Sequence, residues 1–294
     1  MYRQFFKSRK NNQEIRKYSK KILIQDGKVL ANYNFLIKVN PKKQYNLDFL
    51  YQLGKKYNFF SIDKETNLIT NFPIKEEADA IITFGGDGTL LRLIHEINLG
   101  KKIPIYALDL GRLGFLSTGS IDELEEFLEN FPSVYSEKVN LLEIMTLDKI
   151  KYALNEIIFS RSDPLMVPWL IKIDNITFKI FSDGVIVSSS IGSTAYSYSA
   201  GGPIVEHFFD CMIITPISPR DPRCKSMVIE KKPIEIEFDP RYDTLYYSVD
   251  GQCITPLKGI EKSIITPSSK YITLLFNKKP SFFKKLKEKL TWGT

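Results

Sequence analysis

Residues 84–89 read FGGDGT, between the apolar run AII and the helical pattern LLRLIHEI. A strand that ends in glycines and opens a helix lets backbone N–H groups approach an anion, and the helix N-terminus adds partial positive charge. Gly85, Gly86, Gly88 and Thr89 are therefore candidates for a phosphate loop. Asp87 is not there to bind phosphate directly, because like charges repel. Its chemistry is to hold a divalent cation, or to accept the proton of a hydroxyl that attacks phosphorus. The competing reading is a tight strand-to-helix turn with Asp87 as the N-cap. The loop is not the dinucleotide fingerprint G-x-G-x-x-G, since residue 91 is Leu, and no Gly-x4-Gly-Lys P-loop occurs in the chain.

Four further stretches place polar groups where chemistry needs them. In LDLGRLGFLSTGS, Gly111 and Gly114 frame a turn and Phe115 offers an apolar wall for a ring. In YALNEIIFS, Asn155 and Glu156 interrupt an apolar strand; neighbouring strand residues face opposite ways, so at least one points into an interior or a cleft. An Asn can read an adenine edge and a carboxylate can hold ribose hydroxyls, while a polar edge-strand pair is the structural alternative. SDGVIVSSSIGSTAYSYSAGGPIV (182–205) gathers small hydroxyl residues and two glycine turns around Tyr196, the composition of a tightly packed, ligand-facing turn. SVDGQ (248–252) adds Asp250 and Gln252 at a second turn.

The elements that must carry these groups are legible from periodicity. KILIQDGKVLANY predicts a hairpin around Asp26-Gly27. FLIKV (35–39) reads as a strand, QYNLDFLYQLGKKY as a helix running out near Gly54, ADAIITF (78–84) as a strand, LLRLIHEI as a helix and KIPIYALDL (102–110) as a strand. That order predicts a parallel, doubly wound, Rossmann-like α/β domain. Ser120 with Glu123 forms a capping box for a helix whose stripe is Leu124, Phe127, Leu128 and Phe131. After residue 140 short, often alternating runs predict a β-rich, β-sandwich-like domain. FFKKLKEKL, with Phe282, Phe283, Leu286 and Leu290, predicts a basic amphipathic helix returning to the first domain. The expected division is a basic extension at 1–34, an α/β nucleotide-binding domain at 35–120 completed by 266–294, and a β-rich dinucleotide-binding domain at 121–265.

Composition narrows the function classes. The net charge is +7, but residues 1–21 carry +7 and residues 277–294 carry +5, so the body between them is acidic. A nucleic-acid protein is expected to place its basic face on the folded body; here solvated tails are the simpler reading, and no nucleic-acid partner is expected. No run approaches the roughly 18 apolar residues of a membrane span. Three dispersed cysteines, an odd number without a CxxC pair, favour a reducing compartment over a disulfide frame or a zinc site. The basic start lacks the apolar core of a secretory signal, so the expected location is cytoplasmic, with organellar targeting as the alternative.

FGGDGT, LGRLGFL, ALNE, SDGVIVSSSIGSTAYSYSAGGPI, ITPISP, VDGQ and the terminal KLKEKLTWG together resemble the ordered motifs of the NAD kinase family, from about residue 35 to the C-terminus. GGDG alone is shared with diacylglycerol, sphingosine and phosphofructokinase relatives, whereas GSTAYSYSAGGPI with ALNE is specific. The resemblance implies transfer of the γ-phosphoryl of ATP, or of polyphosphate in some members, to the 2′-hydroxyl of the adenosine ribose of NAD. Mg2+ or another divalent cation would bridge the donor phosphates, and the sequence identifies no protein metal ligand. It implies that Asp87 is the proton acceptor and a ribose contact, with Gly88 lining the same site. Asn155 and Glu156 would contact the dinucleotide and Asp183 would lie near its nicotinamide half. Thr194, Ala195, Tyr196, Ser197 and Ser199 would form the adenine and ribose turn, with Gln252 an outer contact. It further implies a homodimer or homotetramer whose NAD pockets are bordered by a neighbouring subunit. Neither His95 nor His207 falls in a matched motif, so both are expected to be structural or surface residues.

Three departures from the family pattern carry expectations of their own. Asp109 stands where the family usually has Asn, which is expected to raise metal dependence or reduce polyphosphate use. Ser189-Ser190-Ile191 replaces Thr-Pro-Thr, which is expected to loosen the loop before Gly192. RDPRCKSMVI replaces a His-Ser-Leu run. The rival readings are a lipid kinase, which would need an apolar acyl-chain pocket in place of the hydroxyl-rich turn, and a catalytically silent NAD-binding protein, which would be expected to lack Asp87.

Overall fold

A computed structural model describes residues 22–25, 28–31, 33–40, 47–61, 78–111, 114–146, 149–163, 165–239, 241–257, 260 and 262–290. The basic segment 1–21 and the terminal residues 291–294 lie outside the described residues, as do Arg112 and Leu113.

Strands β1 (Ile22–Gln25) and β2 (Lys28–Ala31) pair antiparallel with Gln25 opposite Lys28, in keeping with the expected hairpin. Strand β3 (Asn34–Val39), helix α1 (Leu47–Lys56), strands β4 (Asn58–Ser61) and β5 (Ala80–Gly85), helix α2 (Asp87–Glu96) and strand β6 (Ile105–Asp109) follow. The four strands run parallel in the order β6-β5-β3-β4, the doubly wound arrangement expected. All six residues of β5 are buried, as a parallel strand covered on both faces must be. Helix α1 continues two residues past Gly54, whose flexibility is outweighed by the buried Leu53. After the short strand β7 (Gly119–Ser120), the capping box forms as predicted: the Ser120 N–H donates to Glu123 at 2.9 Å. In helix α3 (Leu124–Asn130), Leu124, Phe127 and Leu128 are buried, and with Phe131 they pack against Phe35, Phe84 and Tyr106.

The second unit comprises strands β8 (Tyr135–Thr146), β9 (Lys149–Ala153), β10 (Glu156–Arg161), β11 (Val167–Ile173), β12 (Ile176–Ser182) and β13 (Gly184–Ser189), and a single helical turn, α4 (Tyr196–Ser199). Strands β14 (Cys211–Ile217), β15 (Met227–Glu230), β16 (Ile234–Glu237), β17 (Leu245–Val249), β18 (Cys253–Pro256) and β19 (Lys262–Phe276) complete it. One sheet has the order β15-β14-β13-β10-β17-β18. It packs on the sheet of β11 and β16 through a core that includes Phe159, Trp169, Ile171, Val187, Ile236 and Tyr247, which makes the sandwich.

The 15-residue β19 does more than complete the sandwich. It pairs with β16 near its start, with β8 through most of its length, and with β6 at Leu274 opposite Ile105. A single sheet therefore runs out of the sandwich and into the α/β unit. The chain then turns back: the Asn277 side chain donates to the Glu123 carbonyl at 3.0 Å, and helix α5 (Phe282–Leu290) lies against the α/β unit. Only part of its expected apolar face is used, since Leu286 is buried and Phe283 is exposed. Among the described residues no helix is long and apolar enough to cross a membrane.

Candidate active site

Gly86, in extended backbone, is the N-cap of α2, and no side chain caps the helix. Asp87 is the first helical residue, which removes the N-cap reading and leaves its carboxylate for another use. That carboxylate reaches the second glycine loop. Oδ2 accepts the Phe115 N–H at 2.9 Å; Oδ1 accepts the N–H groups of Leu116 and Ser117 at 3.1 and 3.2 Å and the Ser117 hydroxyl at 3.1 Å. A Cβ at Gly114 would overlap Asp87 Oδ1, so the approach requires glycine there. Asp109 builds the same loop from the other side, accepting the N–H groups of Gly111 at 2.9 Å and Gly114 at 2.7 Å. Its carboxylate is buried and also accepts the Ser117 hydroxyl at 3.4 Å.

Lys285 of α5 closes the back of the loop, donating to the carbonyls of Phe115 at 3.0 Å and Ser117 at 2.6 Å. Burial pulls its pKa down to about 8, opposed by Asp87 and assisted by Lys289. Phe115, Leu116, His207, Phe208, Phe282 and Lys285 line a cavity of about 320 Å3. The imidazole of His207 is pushed down to about 3, by burial first and then by Lys285, so it stays neutral.

The LNE stretch is not one continuous strand: β9 ends at Ala153 and β10 begins at Glu156. Asp250, in left-handed backbone at φ 51°, explains the break. Its carboxylate accepts the N–H groups of Leu154 at 2.8 Å, Asn155 at 2.8 Å and Glu156 at 3.1 Å. Asn155 and Glu156 are both buried, and Asn155 Oδ1 and Glu156 Oε2 have no hydrogen-bond partner among the described residues. Burial, then the neighbouring Asp250, pushes Glu156 up to about 8, with the Tyr196 N–H pulling the other way. Below that pH the group is a neutral carboxyl that can donate as well as accept.

The GSTAYS turn is laid directly on this pair. The Asn155 carbonyl accepts the Ser189 N–H at 2.9 Å and the Ser188 hydroxyl at 3.2 Å, and a Cβ at Gly192 would overlap the same carbonyl. Ser189 donates its hydroxyl to the Leu154 carbonyl at 2.6 Å and accepts the Gly192 N–H at 3.1 Å. The loop expected to be loosened by loss of a proline is thus tied by serine hydroxyls. Thr194 and Ala195 are half-buried, and Tyr196 and Ser199 are exposed on the turn. Ser197 points inward, its hydroxyl 2.8 Å from that of Thr215.

One apolar cluster gathers these pieces. Leu90 lies three residues after Asp87, Leu116 follows Phe115, Leu154 precedes Asn155 and Ile191 precedes Gly192, and all four side chains belong to one buried core cluster. Gln252 sits on the exposed side of the turn that Asp250 anchors. Asp183 does not join the group. It pairs with Arg161 at 2.8 Å, at the opposite end of β13 from Ser189, and a six-residue strand spans about 20 Å.

Comparison with known proteins matches residues 9–133 to the ATP-NAD kinase N-terminal domain and residues 157–277 to the ATP-NAD kinase C-terminal domain. The first match begins well before residue 35, inside the segment expected to be an extension. The NAD kinase of Campylobacter lari is 33% identical over 263 residues, covering 87% of this chain and 94% of its own. The chain belongs to the NAD kinase family. The NAD kinase of Gemmatimonas aurantiaca is 35% identical over 229 residues, covering 73% of this chain and 78% of its own. Among solved structures, the Archaeoglobus fulgidus NAD kinase in complex with ATP has a TM-score of 0.72 at 24% identity, covering 88% of this chain and 100% of its own. Yeast NADH kinase complexed with NADH gives 0.75 at 22% identity, covering 89% and 88%. At these identities the structures speak to the fold, which is that of NAD kinases. Membership does not favour the lipid-kinase or the silent-binder reading.

Four residues that the matched motifs leave without a role make contacts around these groups. Asp250 stands in the sequence as a weak turn signal and Ser117 only inside LGFLSTGS; His95 reads as structural or surface, and Lys285 is one lysine of a basic helix. His95 Nε2 lies 3.4 Å from Asp250 Oδ2.

Proposed function

We propose that this NAD kinase transfers the γ-phosphoryl of ATP to the 2′-hydroxyl of the adenosine ribose of NAD, with Asp87 accepting the proton. The observation that carries the reading is the fixed Asp87 carboxylate at the start of a glycine-opened helix, beside the cluster that also anchors Asn155 and the Gly192 turn. A ribose hydroxyl is a weak nucleophile, and phosphoryl transfer depends chiefly on positioning and charge neutralisation. A carboxylate already held in place takes the proton without reorganising. Gly85, Gly86, Gly88 and Thr89 give the donor phosphates a glycine-opened helix N-terminus. The unpartnered Asn155 Oδ1 and Glu156 Oε2 are groups that the polar edges of a dinucleotide satisfy. Thr194, Ala195, Tyr196 and Ser199 form the outer face of the same turn. Ser197 supports that turn from within through Thr215.

Mg2+ fits this donor set only as a cation carried on the nucleotide. Among the described residues no group of three acidic, His or Cys side chains could hold an ion, and Mg2+ characteristically keeps its waters and binds one or two carboxylates with substrate phosphates. When bound it neutralises charge on the donor phosphates.

Asp183 lies a strand's length from Glu156, and we propose it as a contact for the nicotinamide half of NAD. A homodimer or homotetramer is proposed on family membership. A cytoplasmic location agrees with the three free cysteines.

The direct test is to incubate the purified chain with ATP, Mg2+ and NAD, reading product with an NADP-specific dehydrogenase, and with a sphingoid base as parallel acceptor. NADP formation is expected. Phosphorylation of the sphingoid base with none of NAD would overturn the reading.

A further inference from the structure

Helix α5 is a peripheral element with one buried side chain, Leu286, yet one of its lysines enters the catalytic loop. Lys285 Nζ donates to the Phe115 and Ser117 carbonyls, and the N–H groups of those same residues are bound by Asp87. The geometry is tighter than shared neighbours. The Phe115 carbonyl and the Leu116 N–H belong to one peptide group; Lys285 holds its oxygen end and Asp87 Oδ1 its hydrogen end at 3.1 Å. Ammonium, peptide dipole and carboxylate are aligned in series, an order in which each charge strengthens the bond made by the other.

A purely structural lysine would anchor α5 just as well from the surface, where its charge costs nothing. Here the ammonium is largely buried against two loop carbonyls, and its desolvation cost is opposed by Asp87. We infer that Lys285 is a positioning residue for the reaction: from α5 it holds the Phe115–Ser117 loop so that the loop's N–H groups fix Asp87. This rests on Asp87 being the proton acceptor.

The charged groups around Lys285 set the pH range in which the device works. Asp87 on α2 favours the ammonium; burial and Lys289 disfavour it. His207 is neutral, Tyr135 is raised to about 12 and stays protonated, and Glu137, Glu206 and Lys279 line the same cavity. The ammonium is in place below about pH 8 and is lost progressively above it.

The test measures kcat and KM for NAD and ATP between about pH 6.5 and 9.5 for the wild type, Lys285→Met, Lys285→Arg and Asp87→Asn, with thermal unfolding of each. Lys285→Met is expected to lower kcat roughly ten- to a hundredfold with KM nearly unchanged, and to lose the alkaline fall near pH 8. Lys285→Arg, charged throughout, is expected to recover most of kcat and to show no such fall. An unchanged kcat in Lys285→Met, a loss confined to KM, or an alkaline fall that persists without the lysine would overturn the inference. Should Lys285→Met not fold, the Arg variant decides, since a fall retained near pH 8 contradicts the role. If Asp87→Asn keeps its turnover, the reading of Asp87 itself fails; if Asp87→Asn is inactive and Lys285→Met is not, only the role of Lys285 does.

Discussion

The imidazole Nε2 of His95 lies 3.4 Å from Oδ2 of Asp250, so the helix that begins with Asp87 ends against the carboxylate that holds Asn155 and Glu156. Ten helical residues span about 15 Å. One helix therefore runs from Asp87 in the α/β unit to the turn that seats Asn155 and Glu156 in the sandwich.

Asp250→Asn tests this tie. An amide offers one oxygen where the carboxylate offers two, and at least one of the three buried N–H groups loses its acceptor. Leaving a buried donor unmade costs about 1–3 kcal/mol. The expected result is a midpoint several degrees lower and weaker NAD binding, read by thermal unfolding and calorimetry. Neither quantity changing would show that the carboxylate does not hold the turn.

Glu156→Gln is expected to stabilise the protein, and more so as pH rises. Folding raises the Glu156 pKa from 4.5 to about 8, so the native state holds the proton more tightly than the unfolded chain. That contribution is present in full below about pH 4.5 and is lost as pH rises to about 8. Gln imitates the protonated form at every pH. The difference in unfolding free energy between variant and wild type should grow between pH 5 and 8, reaching roughly 2–4 kcal/mol. A difference independent of pH would place the charge elsewhere.

Gly114→Ala places a methyl group against Asp87 Oδ1, the tip of a side chain that can swing away. The fold is expected to survive within a few degrees while the carboxylate leaves its place. A displacement of about 1 Å can cost on the order of a hundredfold in rate. Turnover at wild-type level, with a structure showing Asp87 unmoved, would contradict the account.

Gly192→Ala meets the Asn155 carbonyl, which is backbone and cannot swing. Here the expectation reverses: a loss of about 1–3 kcal/mol in stability, measured by denaturant unfolding, accompanied by weaker NAD binding. Wild-type stability would mean the turn is not seated on Asn155.

Much of this was legible before any coordinates. Glycines beside a carboxylate at a strand-to-helix junction point to a phosphate loop or to a tight capped turn, and periodicity locates β5 to within two residues and α2 to within three. The parallel strand order and the sandwich followed from the same patterns. What stayed hidden depended on backbone donors, which leave no mark in side-chain types. Asp250 was visible as a turn residue, but the three N–H groups it binds lie 94 to 96 residues away. Lys285 is one of six lysines in residues 277–294, and nothing local sets it apart. The continuous sheet was missed because an apolar run shows how long a strand is and not which strands it pairs with. Ser197 illustrates a different ambiguity, since a small hydroxyl suits a ligand and a tight core equally well.

The central claim is that Asp87 takes the proton of the attacking hydroxyl, and its most direct test is kcat of Asp87→Asn with NAD affinity measured on the same sample by calorimetry. A positioned general base contributes typically about 10²- to 10⁴-fold. The account predicts a fall in kcat of that order with NAD still bound at near wild-type affinity. Turnover preserved in Asp87→Asn would contradict it and remove the carboxylate from the chemistry.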